Sequence, residues 1–534
     1  EQLKAFVSER ENSSRLLNCV NALEQHFVQE CFWNWKEYTE PDDGPAGFDM
    51  LAQKWSPSEI ANAAAIKYHG SRDRVIKKMS GASCYRSVKK ELKTIGIFYY
   101  RMACGGVQRV ISLQIPMLLK MGYKVVLFVE EENPEYEYDI PEEVQKVILP
   151  TSFEIEPKQY AAHGTALEQA LKEYQVDVLM YHAGSADMLL YDLMITKMLG
   201  IRFVIMLHEM FSQRMVSVDL YVNLKPDVFR MADKLIVLSE TEKTYWKTLG
   251  VNARYIPNPV DRTYLPDPTE KRDEKKTSYI LWIGRFAAQQ KRYEDAVHIM
   301  KYVTERIPDA KMKMVGSDYT ANARNKLNRL IEKFHLEKNI EVLEFQKEVD
   351  ELYKGAKIHL LTSAYEAFPM TIIESKSYGV PLVLYDLPYI ELLKDQKGYL
   401  CVPQEDRQGA AEAIVTLLTD EEKQRNLSKE AKESIQKFAD IDYAGMWQNI
   451  LDDISDGSKG IEKEKEYSAE LQEYRIILET MLFHYTKAAQ KYKRLQKKNQ
   501  KLSEENERLK HRIEYRVRNK LGSVKRKILG KLKG

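Results

Sequence analysis

A chain of 534 residues, 44% hydrophobic and 10% aromatic, is long enough for three or four domains with cores of their own and lacks the composition of a disordered or fibrous protein. Its 81 Lys and Arg against 79 Asp and Glu leave a formal charge of +2, so overall charge selects no partner and only local distribution can. Five cysteines, at 19, 31, 84, 104 and 401, show no CxxC spacing and argue against a zinc site or a disulfide framework, and no apolar run reaches the ~20 residues of a bilayer span.

A reducing cytoplasm fits these cysteines, no signal peptide opens the sequence, and a start at Glu1 without Met is consistent with a longer parent protein. Residues 1–90 read as a helical region of unknown role. Leu16, Val20, Leu23, Phe27 and Cys31 recur at helical spacing, and Phe32, Trp33 and Trp35 follow. After a break at Pro41 to Gly47, Ser56-Pro57-Ser58-Glu59 has Ser at an N-cap, Pro at the first helical position and Glu at the third, which announces a second helix.

From Thr94 the texture is α/β. TIGIFYY predicts a strand, RMACGG a tight loop, VQRVISLQIPMLLKMG a helix ending at Gly122, and KVVLFVE the next strand. Gly105 and Gly106 let backbone approach a ligand, although GG alone is a weak phosphate signal. Further strands are expected at Val176 to Tyr181, Phe203 to Leu207 and Lys234 to Leu238, separated by helix-length segments, which is a doubly wound pattern. His208 follows the strand FVIML directly, at a carboxyl strand end where it can meet a ligand, although a lone His is more often a hydrogen-bonded structural residue. The polar stretch Arg262 to Ser278 reads as a linker.

A second α/β domain opens with YILWIGR. Arg285 closes that strand, and Lys291 begins the next helical segment. Cations there could neutralise a diphosphate, or form a solvated surface pair. Val315-Gly316-Ser317 and Phe345-Gln346 end later strands. The organising stretch is IHLLTSAYEAFPMTIIESKSYGVPLVLYD, read as strand, loop, helix, strand, with Pro369 at the first helical position and Gly379 where the helix ends. Glu366 sits in the loop and Glu374 in the first turns of the helix. Thr371-x-x-Glu374 also has capping-box spacing, so Glu374 could serve only the helix start. Helices are expected from Ala410 to Asp453. Asp440-x-Asp442 in that stretch lacks a preceding strand and reads as an N-cap, not a metal site.

At the carboxyl end Leu495, Leu502 and Leu509 repeat every seven residues, with Asn499, Asn506 and Ile513 four behind each, which predicts a two-stranded parallel coiled coil or else a single charged helix. From Lys510 to Gly534 there are ten Lys or Arg and one acid, Glu514. Ile513, Val517, Leu521, Val524, Ile528 and Leu532 recur every three or four residues, the composition of a helix lying on anionic lipid. Nucleic acid is not expected, since Tyr515 stands alone among these cations and supplies no series of aromatic rings to stack on bases.

Five features in this order, GGVQR, His208 in LHEMF, IPNPVD at 256–261, Arg285 with Lys291, and Glu366-x7-Glu374, resemble the retaining glycosyltransferases of family 4. The resemblance covers residues 91–458 and implies two Rossmann-like domains facing a cleft (GT-B), 91–262 for the acceptor and 263–458 for the nucleotide-sugar donor with a crossing-back helix, FADIDYAGMWQNIL. Residues 459–534 hold the coil and basic tail. It implies transfer of a sugar from a nucleotide-sugar to an acceptor hydroxyl, with retention and without a metal or other cofactor, and the basic tail adds the expectation of a glycan or lipid-linked acceptor. The implied catalytic residues are His208, Glu366, Arg285 and Lys291. The implied donor-binding residues are Gly105, Gly106, Phe368, Pro369, Met370, Thr371 and Glu374, the last on the ribose. Glu209 replaces the more usual Asp, Pro259 a Gly, and Gln346 a Gly, so the base is not readable. Joined to the tail, this describes a peripheral homodimer on the inner face of the cytoplasmic membrane, acting in cell-surface polysaccharide assembly. The alternatives are a non-hydrolysing sugar-nucleotide epimerase and a non-catalytic membrane-associated scaffold.

Overall fold

The structure, a computed structural model, describes residues 55–68, 90–103, 105–151, 159–184, 188–210, 225–259, 279–387, 389–456 and 491–510, together with 481 and 488. The helical spacing from Leu16 to Cys31, the linker 262–278, Asp261 of the IPNPVD segment and the basic segment 511–534 lie outside them. The described residues fall in two compact units, one holding both sheets and every candidate site residue, the other the helix 491–510.

The first sheet is β1 (Thr94–Phe98), β2 (Lys124–Val129), β3 (Gln145–Ile148), β4 (Val178–Tyr181), β5 (Arg202–Met206), β6 (Lys234–Val237) and β7 (Ala253–Tyr255), in the order β3-β2-β1-β4-β5-β6-β7. Every pairing is parallel. β1, β4, β5 and β6 are buried along their whole length, as strands with helices on both faces must be, and that is why they read as unbroken apolar runs. β3 (QKVI) and β7 (ARY) are the sheet's two edges and were not anticipated. Edge strands here are short and half-polar, so they carry no such run.

The second sheet is β8 (Tyr279–Ile283), β9 (Met312–Val315), β10 (Ile340–Leu343), β11 (Ala356–Leu361), β12 (Leu382–Tyr385) and β13 (Tyr399–Val402), ordered β10-β9-β8-β11-β12-β13 and again wholly parallel. In both sheets the order reverses beside the first strand, at β1/β4 and at β8/β11. A doubly wound sheet opens its ligand crevice at the carboxyl ends of such strands.

Helix Tyr443–Ser455 ties the end of the second half to the first. Its Trp447, Ile450, Leu451 and Ile454 are buried among Ile95, Ile97, Ile111 and Ile115, each contributing about 1.5–3 kcal/mol on burial. Arg202 Nε donates to the Ile454 carbonyl at 2.7 Å, and the Lys90 N–H to the Ser455 carbonyl at 3.0 Å. Asp442 is the N-cap of this helix, as expected, and accepts from the Gly445 N–H, while Asp440 is the C-cap of the preceding helix, Glu421–Ala439. Helix Pro57–Tyr68 starts with the expected reciprocal pair, Ser56 N–H to Glu59 and Glu59 N–H to Ser56 Oγ. It packs on helices Ala161–Glu173 and Leu189–Met198, and its Ser58 N–H donates to the buried Glu168 at 2.7 Å.

The helix 491–510 is exposed at every position, with Leu495, Leu502 and Leu509 each about half exposed on one seven-residue stripe. Among the described residues, no helix is long and apolar enough to cross a membrane.

Candidate active site

The loop after β11 is fixed by local polar chemistry. Trp282 Nε1 donates to Thr362 Oγ1 at 3.0 Å, Thr362 Oγ1 in turn donates to the Lys291 carbonyl at 2.7 Å, and the Ala364 N–H to the Gln290 carbonyl at 2.8 Å. These bonds tie the turn after β8 to the turn after β11. They bring Lys291 Nζ to 2.5 Å from Glu366 Oε1, which also accepts from Ser363 Oγ at 2.6 Å. Glu366 is 8% exposed, so the pair is largely desolvated. Lys291 lies in the turn ahead of helix Tyr293–Arg306 rather than inside it, with Arg292 in a left-handed conformation between. His359, on β11, is fully buried with neither ring nitrogen bonded, and burial, followed by the nearby Lys291 charge, holds it at a pKa of about 3 and therefore neutral.

Arg285 is exposed, its guanidinium over the Tyr319 ring at 5.3 Å and within 3.5 Å of Gln290. Beside it, Gly316 admits no side chain. A Cβ there would lie 1.9 Å from the Gly284 carbonyl oxygen, so the ends of β8 and β9 can close on each other only because this residue is Gly.

Helix Met370–Ser377 begins one residue later than expected. Pro369 is the N-cap, in an extended conformation, and Gly379 is the first residue past the C-cap Tyr378. Its opening N–H groups, those of Met370 and Thr371 among them, fall in the turn where a helix has no internal acceptor to offer. The capping-box alternative for Glu374 fails. The helix start has no side-chain cap, Thr371 Oγ1 is buried without a partner, and Glu374 Oε2 accepts instead from Tyr353 Oη at 3.0 Å. Burial raises the Glu374 pKa, against the Tyr353 hydrogen bond and the charge of Arg109, which lower it.

Arg109 belongs to the GGVQR stretch of the first half, and the two halves meet here. Gly105 holds a φ of 153°, open to Gly alone, as N-cap of helix Gly106–Lys120, and a Cβ on Gly106 would be 3.9 Å from Met370. Asn258, in the IPNP segment, donates to the Phe368 carbonyl at 3.3 Å, and Met210 is buried in one cluster with Phe368 and Ile372. Tyr99 and Tyr365, from opposite halves, both feel Arg285 and Glu209. Lys347 and Asp139 bridge the halves at 2.8 Å.

His208 follows β5 as expected. Its Nε2 lies 2.9 Å from Nδ1 of His182, a residue the sequence did not single out, and the rings stack with centroids 5.1 Å apart. Burial holds His208 at a pKa of about 4, and burial with His208 beside it takes His182 well down too. Tyr353, Ser363, Arg109 and His182 are the neighbours that sequence reasoning missed. Only Arg109 carried a signal, as the last residue of GGVQR. A groove of about 560 Å³ lined by Arg254, Tyr255, Met446 and Asp453, among others, contains none of these residues.

The candidate residues therefore lie in the loops that follow β1, β5, β8 and β11 and in the helix turns that open from them, on the side where the halves face each other. The chain matches a family model described as Glycosyl transferases group 1 over residues 266–434 and one described as Glycosyltransferase Family 4 over 104–264, together well over half its length. It is 25% identical to an uncharacterized glycosyltransferase of Haemophilus influenzae, over 67% of this chain and 100% of that one. It is also 25% identical to the amylovoran biosynthesis glycosyltransferase AmsD of Erwinia amylovora, over 43% of this chain and 64% of that one. In fold it is similar to HepE of Anabaena, solved with UDP and glucose, at a TM-score of 0.56 and 16% identity over 67% of this chain and 99% of that one. Two parallel-sheet halves in the GT-B arrangement and the two matched models make this chain a member of the family 4 glycosyltransferases.

Proposed function

We propose that this glycosyltransferase moves a sugar from a nucleotide-sugar donor to a glycan or lipid-linked acceptor, with retention of anomeric configuration and without a resident metal ion, in cell-surface polysaccharide assembly. The observation that carries the reading is the desolvated Lys291–Glu366 pair with Arg285 beside it, at the ends of β8 and β11. In the reaction the bond from the anomeric carbon to the phosphate oxygen breaks, and the acceptor oxygen bonds the same carbon from the same face. The acceptor proton passes to the departing phosphate oxygen. Negative charge grows on the diphosphate as this happens, and Arg285 and Lys291 meet it already in position, where preorganised charge lowers a barrier most. Lys291 exchanges its contact with Glu366 for the phosphate, and Glu366 turns to the sugar. Glu374 accepts from ribose hydroxyls, and the Gly105–Gly106 turn and the N–H groups of Phe368, Met370 and Thr371 line the donor.

The Erwinia relative's name supports a polysaccharide setting, and the Anabaena neighbour's UDP supports a nucleoside diphosphate. Incubating the full chain with UDP-, GDP-, ADP- and dTDP-sugars should give nucleotide release with one of them, stimulated by acceptor, and a product of unchanged anomeric configuration. Release with none, or an inverted product, overturns the reading.

The same proposal places the enzyme on the inner face of the cytoplasmic membrane as a dimer. The exposed leucine stripe of the helix 491–510 pairs with that of a second copy, and the ten cations between Lys510 and Gly534 bind anionic lipid at about 1 kcal/mol each. Two tails on one dimer raise avidity without new contacts. Vesicle sedimentation should need both the tail and anionic lipid, and should weaken with salt. Equal sedimentation of a chain ending at Gly460 removes the anchor, and a monomeric full chain removes the coil.

A further inference from the structure

β4 and β5 are adjacent and parallel, with Tyr181 opposite Ile205, so the residues just past their carboxyl ends rise side by side. One is His182, the other His208. Their rings lie within 19° of parallel, with His182 Nδ1 2.9 Å from His208 Nε2. A hydrogen bond between two imidazoles needs one N–H and one lone pair. Burial keeps both rings neutral near pH 7, so each carries one proton and two assignments exist. If His208 Nε2 donated, the proton of His182 would sit on its own Nε2. That nitrogen is buried and has no partner, in a residue 2% exposed. Orphaned buried N–H groups are rarer than orphaned acceptors, so the assignment with a bare lone pair on His182 Nε2 is the favoured one.

We propose that His182 is a positioning residue that donates from Nδ1 to His208 Nε2 and thereby locks His208 as its Nδ1–H tautomer. The lock takes Nε2 out of play, and the one ring group His208 retains for a ligand is an N–H donor. His208 then serves the donor sugar as a neutral hydrogen-bond donor to a hydroxyl and cannot act there as a proton-abstracting base. The rate consequence rests on the glycosyl-transfer reading proposed above and on the catalytic role that the family resemblance implies for His208; the tautomer does not.

The experiment uses the full chain labelled with ¹⁵N-histidine, and two-bond ¹⁵N–¹H correlations near neutral pH read which ring nitrogen is protonated. His208→Gln identifies the His208 signals. The expected result is a protonated Nδ1 on His208 and on His182. His182→Phe keeps an aromatic ring but removes the donor, so His208 should relax to a mixture of tautomers and kcat should fall about tenfold, with a smaller change in donor KM. His182→Asn puts an amide N–H close to where Nδ1 stood, and should restore both the tautomer and most of the rate. A protonated Nε2 on wild-type His208 overturns the proposal, as does a folded His182→Phe with unchanged tautomer and kcat. If His182→Phe does not fold, the wild-type spectrum and His182→Asn decide alone. An Nδ1–H signal in wild type with unaltered kcat in a tautomer-mixed His182→Phe would retain the lock and overturn the role in catalysis. A chain with the expected tautomer that releases nucleotide from no donor sugar would instead overturn the donor reading.

Discussion

The two halves of the catalytic unit share a strand order and furnish the same edge with opposite chemistry. The first ends β4 and β5 in two imidazoles that burial keeps neutral. The second ends β8 and β11 in Arg285 and the Lys291–Glu366 pair, full charges held by one another and by side-chain hydrogen bonds. Under the proposed reaction the difference follows what each half would meet. A sugar offers hydroxyls, which a neutral donor or acceptor satisfies, and a protonated His there would add a cation beside groups already positive. A departing diphosphate offers growing negative charge, for which only fixed cations suffice. One fold supplies both because the strand ends are rigid and the side chains beyond them are free to vary.

The sharpest way to break this contrast is to remove charge from the second half. Lys291→Ala or Arg285→Ala should raise the barrier by about 2–4 kcal/mol, read as kcat with donor saturating. Arg285 is exposed, so its variant should keep the wild-type melting temperature, whereas Lys291→Ala leaves Glu366 desolvated without its cation and should melt lower. Wild-type rates in both would sink the assignment of charge to the leaving group.

The first half also holds a buried charged cluster around Asp192, and it sharpens the comparison as a structural device. His163 Nε2 lies 3.3 Å from Asp192 Oδ1, and Asp192 also accepts from Tyr160 and Tyr181 at 2.6 Å each. Burial opposes the charged imidazole, but Asp192, the Pro150 carbonyl and Glu130 outweigh it and raise His163 to a pKa of about 9. A raised folded pKa stabilises fully below the unfolded value of about 6.5, and the contribution fades as pH climbs through 9. The loss should approach about 3 kcal/mol, since each tenfold gain in proton affinity on folding is worth about 1.4 kcal/mol. Urea midpoints measured from pH 6 to 10 should fall in wild type and stay flatter in His163→Asn. Equal slopes would show that His163 is neutral in the fold.

How much of this was legible in the sequence depended on range. Buried parallel strands announce themselves as continuous apolar runs, and ligand-facing residues follow them at once, so β1, β5, β8 and β11 with His208, Arg285 and Glu366 could be read off directly. The edge strands β3 and β7 could not, for want of a run. Nor could His182, Tyr353 or His163, because what gives each its meaning is a buried polar contact to a residue 21 or more positions away, and no local pattern encodes it. Thr371-x-x-Glu374 shows the converse. Its spacing is right for a capping box, yet the helix already begins at Met370, two residues before a Thr371 N-cap would start it, and Glu374 is claimed by Tyr353.

Glu374 is the acid of the second half that faces neutral groups, so it should behave unlike Lys291. Contacts to ribose are alike in ground and transition states, and Glu374→Ala should raise donor KM by about 1.5–3 kcal/mol with a smaller change in kcat. A fall in kcat alone would move Glu374 to the reacting centre.

The smallest expected effect belongs to Tyr353, which holds one oxygen of that carboxylate and, in the proposed reading, leaves the other for ribose. Tyr353 is fully buried and stacked on Tyr378 with ring planes 5° apart, so Tyr353→Phe preserves packing and deletes only the hydroxyl. Losing one hydrogen bond should cost about 0.5–1.5 kcal/mol in donor binding, a few-fold in KM. The pH dependence separates this from a general loosening. Burial already raises the Glu374 pKa, and the Tyr353 hydrogen bond pulls it back down. Deleting the hydroxyl removes the lowering influence, so the carboxyl stays protonated to a higher pH and the pH below which donor KM worsens should move upward in Tyr353→Phe. The same variant built on Glu374→Ala should show no such displacement, since the titrating group is gone. A KM profile that shifts in neither, or equally in both, would mean that Tyr353 acts through packing, and the ribose-binding carboxylate would need another partner.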